Sequence, residues 1–140
     1  MQMLGLTLLG AVLLSFPVSF TRMLAPEPAP VVHQVRMVQA GSSFRFEPAS
    51  LTIRRGDQVK FTTVTGGPHN VSFDPAKVPD AAERALSAGM PAQISPLAGP
   101  LLVNAGDSYT ISFADVAPGT YTFSCMPHMG MGMQGTVTVQ

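Results

Sequence analysis

The 140-residue chain has little charge and almost no cysteine. Eight basic and eight acidic side chains balance to a formal net charge of zero, and charged residues make up only 11% of the chain. Nucleic-acid binding needs a basic face, so this composition argues against a nucleic-acid partner and against strong electrostatic steering toward a highly charged one. The single cysteine, Cys125, excludes an intramolecular disulfide, so cysteine usage says nothing about the redox compartment.

Charge is absent altogether from the first 21 residues, where Leu4–Leu14 forms an apolar run. Such a run is typical of a secretory signal, and the proline-rich sequence APEPAP after it predicts a stiff linker. The charge-free stretch is also long enough for a membrane span, which takes roughly 20 residues. No basic residue precedes the run and no clean cleavage motif follows it, so cleavage and anchoring both stay open. We expect residues 1–25 to be a signal peptide or an N-terminal membrane anchor and residues 26–30 to be a linker. The protein is then exported, to the periplasm or an extracytoplasmic membrane face.

Short alternations of apolar and polar residues fill most of the remaining chain and predict β-strands. Val31–Gln39 is short and β-branched, Asn70–Asp74 is a further short strand, and period-two runs opened by glycine-containing turns recur up to the C-terminus. The apolar residues that share a face are Phe44 and Phe46, Leu51 and Ile53, Val59 and Phe61, Tyr109 with Ile111 and Phe113, Tyr121 with Phe123 and Cys125, and Val137 with Val139. Several short strands at this spacing indicate an all-β sandwich or barrel.

One segment departs from the strand pattern and predicts a short helix in a loop. Asp80 can cap this helix, because Glu83 follows three residues later and the two form a capping-box sequence. The alanines between Asp80 and Gly89 favour helix, and Gly89 can end it.

The sequence TFSCMPHMGMGMQG, residues 122–135, collects several metal-binding side chains in one turn. Cys125 ends a predicted strand, and His128 follows after Pro127, which cannot continue a strand ladder. Thiolate sulfur and imidazole nitrogen are ligands for transition metals. Met133 offers a thioether, a soft ligand that suits copper better than zinc. A turn at this point can therefore gather donors around one metal ion.

A second histidine is needed to complete such a site, and the chain offers His33 and His69. His33 lies inside the first predicted strand, where an ordinary strand histidine is expected. His69 follows a glycine–proline loop and begins a strand, which makes it the better candidate. A buried cysteine or core methionines alone would be ordinary features of a β protein. Their combination with His128 at this offset favours a metal site.

The sequences PHNVSFD, residues 68–74, and YTFSCMPHMGMGMQGTVTV, residues 121–139, resemble the plastocyanin–amicyanin–pseudoazurin group of cupredoxins, the small blue copper proteins. The resemblance covers roughly residues 42–140. It implies that residues 31–140 form an eight-stranded Greek-key sandwich with one type 1 copper ion per chain, which serves one-electron transfer between Cu(I) and Cu(II). Carried over by position, the copper ligands are His69, Cys125, His128 and Met133.

The chain departs from that family in its additional methionines, Met126, Met129 and Met131. Met131 is a rival for the axial position, although the spacing favours Met133. The extra thioethers also keep open an alternative function, in which the protein is a periplasmic copper chaperone or store.

Enzyme chemistry is not expected, because a copper oxidase or reductase needs a further copper site built of several histidines and only His33 is left over. In the resembled family the histidine of the Cys-to-Met loop reaches the surface through an apolar patch. This implies that redox protein partners dock near His128, on a face formed with Pro127, Met129, Met131 and the Gly66–Pro68 loop. We expect a monomer that contacts a membrane only through an uncleaved N-terminal anchor.

Overall fold

The computed structural model describes residues 26–140, so the predicted signal or anchor segment, residues 1–25, lies outside the described residues. The strands are β1 (Val32–Ala40), β2 (Ser43–Glu47), β3 (Ser50–Ile53), β4 (Gln58–Thr63), β5 (Ser72–Phe73), β6 (Ser108–Ser112), β7 (Gly119–Ser124) and β8 (Gln134–Val139). Helix α1 spans Asp80–Ala88, and two 3₁₀ segments span Pro75–Lys77 and Met126–Met131. None of the helices in this part of the chain is long and apolar enough to cross a membrane.

The strands form two four-stranded sheets, with the orders β2-β1-β4-β6 and β3-β8-β7-β5. β1 runs parallel to β4, from Val32 opposite Gln58 to Met37 opposite Thr63, and β3 runs parallel to β8. The remaining neighbours are antiparallel. The prediction of an all-β sandwich of about eight strands with one short helix is therefore confirmed.

Side chains of both sheets form one apolar core between them. Phe123 of β7 lies near its centre, with its ring centroid 4.8 Å from that of Phe46 and 5.3 Å from that of Phe61. The predicted inward-facing residues that are at most 5% exposed are Phe46, Ile53, Val59, Phe61, Tyr109, Ile111, Phe113, Tyr121, Phe123, Cys125, Val137 and Val139. Burying one large apolar side chain stabilises a fold by about 1.5–3 kcal/mol, so this core holds the two sheets together.

Helix α1 lies between β5 and β6, but the predicted capping box is wrong. The N-cap is Pro79, no side chain caps the helix, and Asp80 and Glu83 lie in its first turn. Negative charge is still favourable there, because backbone N–H groups point out of that end. Gly89 ends the helix as predicted, in a right-handed conformation with φ of −80°. Glycine is required by space, since a Cβ at this position would collide with the carbonyl oxygen of Ser112.

Strand β5 is shorter than the predicted strand Asn70–Asp74. Only Ser72–Phe73 pairs with a neighbour, and Asp74 instead caps the first 3₁₀ segment by accepting the N–H of Ala76 at 3.0 Å. The side chain of Asn70 is used in the loops described below. Polar residues at both ends thus end the strand early.

The chain enters the sandwich at one end and the loops after β4 and β7 lie at the other. At the first end, which we call the entry end, the N–H of Val31 donates to Asp57 Oδ1 at 2.9 Å, and the N–H of Arg55 donates to the carbonyl of Gln140 at 3.0 Å. The opposite end, the loop end, is reached along β4, which has six residues. At about 3.3 Å per residue this separates the two ends by about 20 Å.

Candidate metal centre

Three donor side chains converge at the loop end of the sandwich. His69 follows β4, and Cys125 and His128 follow β7. One ligand atom from each lies within 4.8 Å of the others. The Sγ atom of Cys125 lies 3.7 Å from His69 Nδ1 and 3.4 Å from His128 Nδ1. The fold thus brings together three of the four residues predicted as ligands, although 56 positions separate Cys125 from His69.

His69 is held by its backbone and by its ring. Its N–H donates to the carbonyl of Leu102 at 3.0 Å, and its carbonyl accepts the N–H of Leu102 at 2.7 Å. The ring Nε2 donates to the carbonyl oxygen of Thr65 at 2.8 Å. Since a carbonyl can only accept, Nε2 carries the proton and Nδ1 faces Cys125 without one, which is the tautomer that a metal ligand needs.

The loop from Cys125 to Met133 closes through its own backbone. Cys125 donates its N–H to the carbonyl of Met133 at 3.1 Å, and Met133 donates to the carbonyl of His128 at 3.3 Å. Gly132 adopts a left-handed φ of 77°, which glycine tolerates without strain, and turns the chain back toward Met133. The side chain of Met133 is fully buried. Met133 therefore occupies the same closed loop as Cys125 and His128.

Asn70 links the two halves of the site, and sequence reasoning missed this role. Its Oδ1 accepts the N–H of Met126 at 2.8 Å, and its Nδ2 donates to the carbonyl of Gly99 at 3.2 Å. The side chain is fully buried, so both hydrogen bonds are shielded from water. The one signal in the sequence was its position directly after His69.

Burial shifts the pKa values of two of the donor side chains, Cys125 and His128. It raises the pKa of the Cys125 thiol, and backbone hydrogen bonds from Asn70 and His128 oppose that rise. Burial also lowers the pKa of His128, and the neighbouring His69 lowers it further. A neutral imidazole is ready to bind a metal ion, whereas the thiol must release its proton on binding.

The donor set fits copper. It consists of two imidazole nitrogens and one thiol sulfur, and the buried Met133 at the end of the same loop carries a thioether. Two histidines and one cysteine with a weak methionine ligand are the donors of blue copper sites, while zinc gains little from a thioether. Exposures of 0% for His69 and Cys125 and 9% for His128 keep water away from the donors.

Phe44 is a second residue that sequence reasoning did not connect with the site. Its ring stacks on that of His128, with centroids 3.8 Å apart and an interplanar angle of 13°. It also meets His69 edge-on, at 6.3 Å and 68°. The alternation in β2 predicted Phe44 only as a core residue.

His33 lies away from the donor cluster, as predicted. Its Nε2 pairs with Asp57 Oδ2 at 2.9 Å at the entry end, and it is an ordinary strand histidine. The three additional methionines face solvent instead, because Met126, Met129 and Met131 are 46%, 50% and 60% exposed.

The known proteins with similar sequences and structures include plastocyanins and a pseudoazurin. The family model for copper binding proteins of the plastocyanin/azurin family matches residues 33–140. Plastocyanin from Nostoc punctiforme is 40% identical over 124 residues, which cover 88% of this chain and 84% of that protein. Oxidised plastocyanin from Dryopteris crassirhizoma superposes with a TM-score of 0.61 at 34% identity, over 76% of this chain and 99% of the other. Pseudoazurin from Methylobacterium extorquens superposes with a TM-score of 0.52 at 27% identity, over 77% and 74% of the two chains.

Proposed function

Because the chain belongs to the plastocyanin/azurin family of copper-binding proteins, we propose that His69, Cys125, His128 and Met133 hold its single type 1 copper ion. The observation that carries this assignment is the convergence of three buried nitrogen and sulfur donors within 4.8 Å. Copper supplies one-electron redox chemistry by alternating between Cu(I) and Cu(II). The protein is an electron carrier that exchanges one electron at a time with redox partners.

Each donor has a distinct role in this proposal. His69 and His128 bind through Nδ1, and Cys125 binds as a thiolate after its proton leaves. Met133 is the weak axial ligand, because it is fully buried, whereas its rival Met131 is 60% exposed. No feature of residues 26–140 favours the alternative function in copper storage or delivery.

The protein supplies rigidity and exclusion of water. The hydrogen bonds of His69 with Thr65 and Leu102, and the one from the N–H of Met126 to Asn70, hold both loops in place. Donors that are already in place need little rearrangement when an electron arrives or leaves. The same enclosure leaves no open position for a substrate. We therefore expect no enzymatic activity, since the one remaining histidine, His33, lies at the entry end.

We further propose that redox proteins dock on an uncharged apolar face around His128. Residues 64–73, 89–106 and 116–140 contain no lysine, arginine, aspartate or glutamate. Pro127, Met129 and Met131 are exposed, in support of the predicted face. Val103, 61% exposed and next to the Leu102 that pairs with His69, adds apolar surface that was not predicted. Such a face suits a small, short-lived encounter between two proteins.

For localisation we propose export, with residues 1–25 as a signal peptide or anchor. The apolar, charge-free character of this segment and the proline-rich linker after it support the proposal. Cell fractionation combined with the intact mass of the mature chain distinguishes the outcomes. A mass that lacks the segment indicates cleavage, and a full mass in the membrane fraction indicates anchoring. Full-length protein in the cytosol would contradict export.

The absorption spectrum of the copper-loaded protein tests the ligand assignment. We expect an intense blue colour in the wild type, since it arises from charge transfer out of the Cys125 thiolate. Cys125→Ser should lose the colour, and Met131→Leu, the matched control, should keep it. A colourless wild-type copper protein, or a blue Cys125→Ser variant, would refute the assignment.

A further inference from the structure

The two histidines of the metal centre are held in different ways. His69 donates its ring Nε2 proton to the carbonyl of Thr65, a bond that fixes the orientation of the imidazole. Metal-binding histidines almost always have such a partner on the second ring nitrogen. Among residues 26–140, the only hydrogen-bond contact of the His128 ring is the one between Nδ1 and Cys125 Sγ. Its far nitrogen has no protein partner in this part of the chain.

An aromatic ring occupies the face of His128 instead. The rings of Phe44 and His128 are nearly parallel, at 13°, with centroids 3.8 Å apart. This separation is close contact for two flat rings, so the imidazole cannot tilt toward Phe44 without a collision. Two stacked rings have a preferred mutual geometry, which an aliphatic side chain does not impose.

Phe44 is itself well fixed. It belongs to β2, where it lies opposite Gln39 of β1. The backbone of Gly66, in the loop that carries His69, packs so closely that a Cβ there would lie 3.2 Å from Phe44 Cε1. Phe44, a residue of the first sheet, thus lies against the loop that carries His69 and stacks on His128, which follows a strand of the second sheet.

We propose that Phe44 is the positioning residue for His128 and replaces the missing hydrogen bond on that ring. By stacking on the imidazole, it keeps His128 in one orientation in the metal-free protein and in both oxidation states. This inference rests on the proposed function only in taking the metal to be copper. Its consequence is that His128 stays in place when the metal changes charge, which limits the rearrangement that accompanies each electron transfer.

Side-chain NMR relaxation of His128 in the metal-free protein tests the proposal directly. In the wild type we expect no microsecond-to-millisecond exchange broadening of the His128 ring signals. Phe44→Leu should introduce such broadening, and Phe44→Tyr, which keeps the stacked ring, should remove it again. Phe44→Met serves as a second aliphatic variant if the leucine variant does not fold.

Electron paramagnetic resonance of the Cu(II) protein gives a second readout. We expect one copper species in the wild type and in Phe44→Tyr, and a loss of this homogeneity in Phe44→Leu. Phe46→Leu is the matched control, because Phe46 lies on the same face of β2 but contacts Phe61 and Phe123 rather than a histidine. It should lower the unfolding temperature and leave the signals of His128 and copper unchanged.

If Phe44→Leu shows wild-type relaxation of His128 and a wild-type copper spectrum, Phe44 is a core residue only and the proposal is wrong. Equal broadening in Phe46→Leu would also overturn it, because the effect would then come from general loosening of the core. Failure to bind copper would refute the proposed function, while the metal-free relaxation data would still decide the role of Phe44.

Discussion

At the scale of single residues, exposure separates two methionines that lie two positions apart. Met133 is fully buried, whereas Met131 is 60% exposed. The backbone of Met133 accepts a hydrogen bond from Cys125 and donates one to His128. An axial thioether is a weak ligand that tunes the redox potential and is not essential for holding copper. Burial therefore favours Met133 over Met131 for the proposed axial role.

We expect Met133→Gln to retain copper and to shift the reduction potential, because the ligand atom changes from sulfur to oxygen or nitrogen. Met131→Gln is the matched control and should leave the potential unchanged. Potentiometric titration of both variants beside the wild type provides the measurement. A shift in Met131→Gln without one in Met133→Gln would reverse the axial assignment.

The sequence allowed these ligands to be proposed because the motif that resembles the cupredoxins lies mostly within one loop and is local information. Cys125, His128 and Met133 lie within nine consecutive residues, and His69 has a recognisable loop before it. The contacts of Phe44 and Asn70 were not predictable in this way. Phe44 reaches His128 from another sheet, and Asn70 binds the backbone of Met126 at a separation of 56 positions. Such contacts exist only once the strands have paired.

At the scale of elements, Asp57 joins the start of β1 to the start of β4. Its carboxylate accepts hydrogen bonds from the N–H of Val31 at 2.9 Å, the N–H of Arg54 at 3.0 Å and Nε2 of His33 at 2.9 Å. These bonds, the one to His33 foremost, lower the pKa of Asp57 from 3.8 to about 2, although desolvation opposes them. The charged form is therefore bound more strongly in the folded protein than in the unfolded chain.

This shift predicts how stability changes in acid. Because the folded pKa is depressed, the contribution of Asp57 is complete above about pH 4 and is lost as the pH falls toward 2. Asp57→Asn should lower the free energy of unfolding by about 2 kcal/mol at pH 7, as expected for lost hydrogen bonds to a charged group. Its difference from the wild type should shrink between pH 4 and pH 2. Urea unfolding at several pH values measures both effects.

The exposed Asp115 provides the control for that experiment. Its pairing with Arg55 spans 3.6 Å and its side chain is 84% exposed, so Asp115→Asn should change stability little at any pH. A constant difference between wild type and Asp57→Asn from pH 7 to pH 2 would contradict the assigned role of Asp57.

Strand positions were predictable from alternation because one face of every long strand is buried. The ends of helices and strands were harder to predict, because they depend on which hydrogen bonds the polar groups there form with the neighbouring backbone. Asp80 and Glu83 fit a capping sequence, yet Pro79, with φ of −59° and extended ψ of 139°, is the N-cap, so Asp80 is already the first residue of the helix. Asp74 likewise accepts a hydrogen bond from the N–H of Ala76, and β5 ends before it. Local patterns allowed both endings, and the backbone geometry of the neighbours decided between them.

At the scale of the whole molecule, the sequence segments that carry the donors contain no charged side chain, although the carboxylate of Asp107 accepts the N–H of Val103 at 3.1 Å. The uncharged segments 64–73, 89–106 and 116–140 include every loop that carries a donor, and the net charge is zero. Salt screens the field of exposed charges that lie farther from a partner than the screening length, which is about 10 Å at 0.1 M. Docking around His128 should then depend on apolar contact.

We accordingly expect the electron-exchange rate with a soluble redox protein to change only mildly with ionic strength. Stopped-flow mixing from low to high salt measures this dependence. Met129→Lys, which adds a charge to the exposed face, should make the dependence steeper with a charged partner. A steep fall in the wild-type rate on addition of salt would show that charged groups dominate docking.

The entry end and the donor cluster lie at opposite ends of the molecule, and this determines which end faces the solution when the protein is attached to a surface. Val31 and Gln140 are both tied down there, about one strand length of roughly 20 Å from the donor cluster. A molecule attached to an electrode or a bead through a site next to Val31 or through Gln140 would present His128 to the solution rather than to the support. Soluble partners would then reduce and oxidise the attached molecules. Electron transfer to the support itself would have to cross the full length of the sandwich.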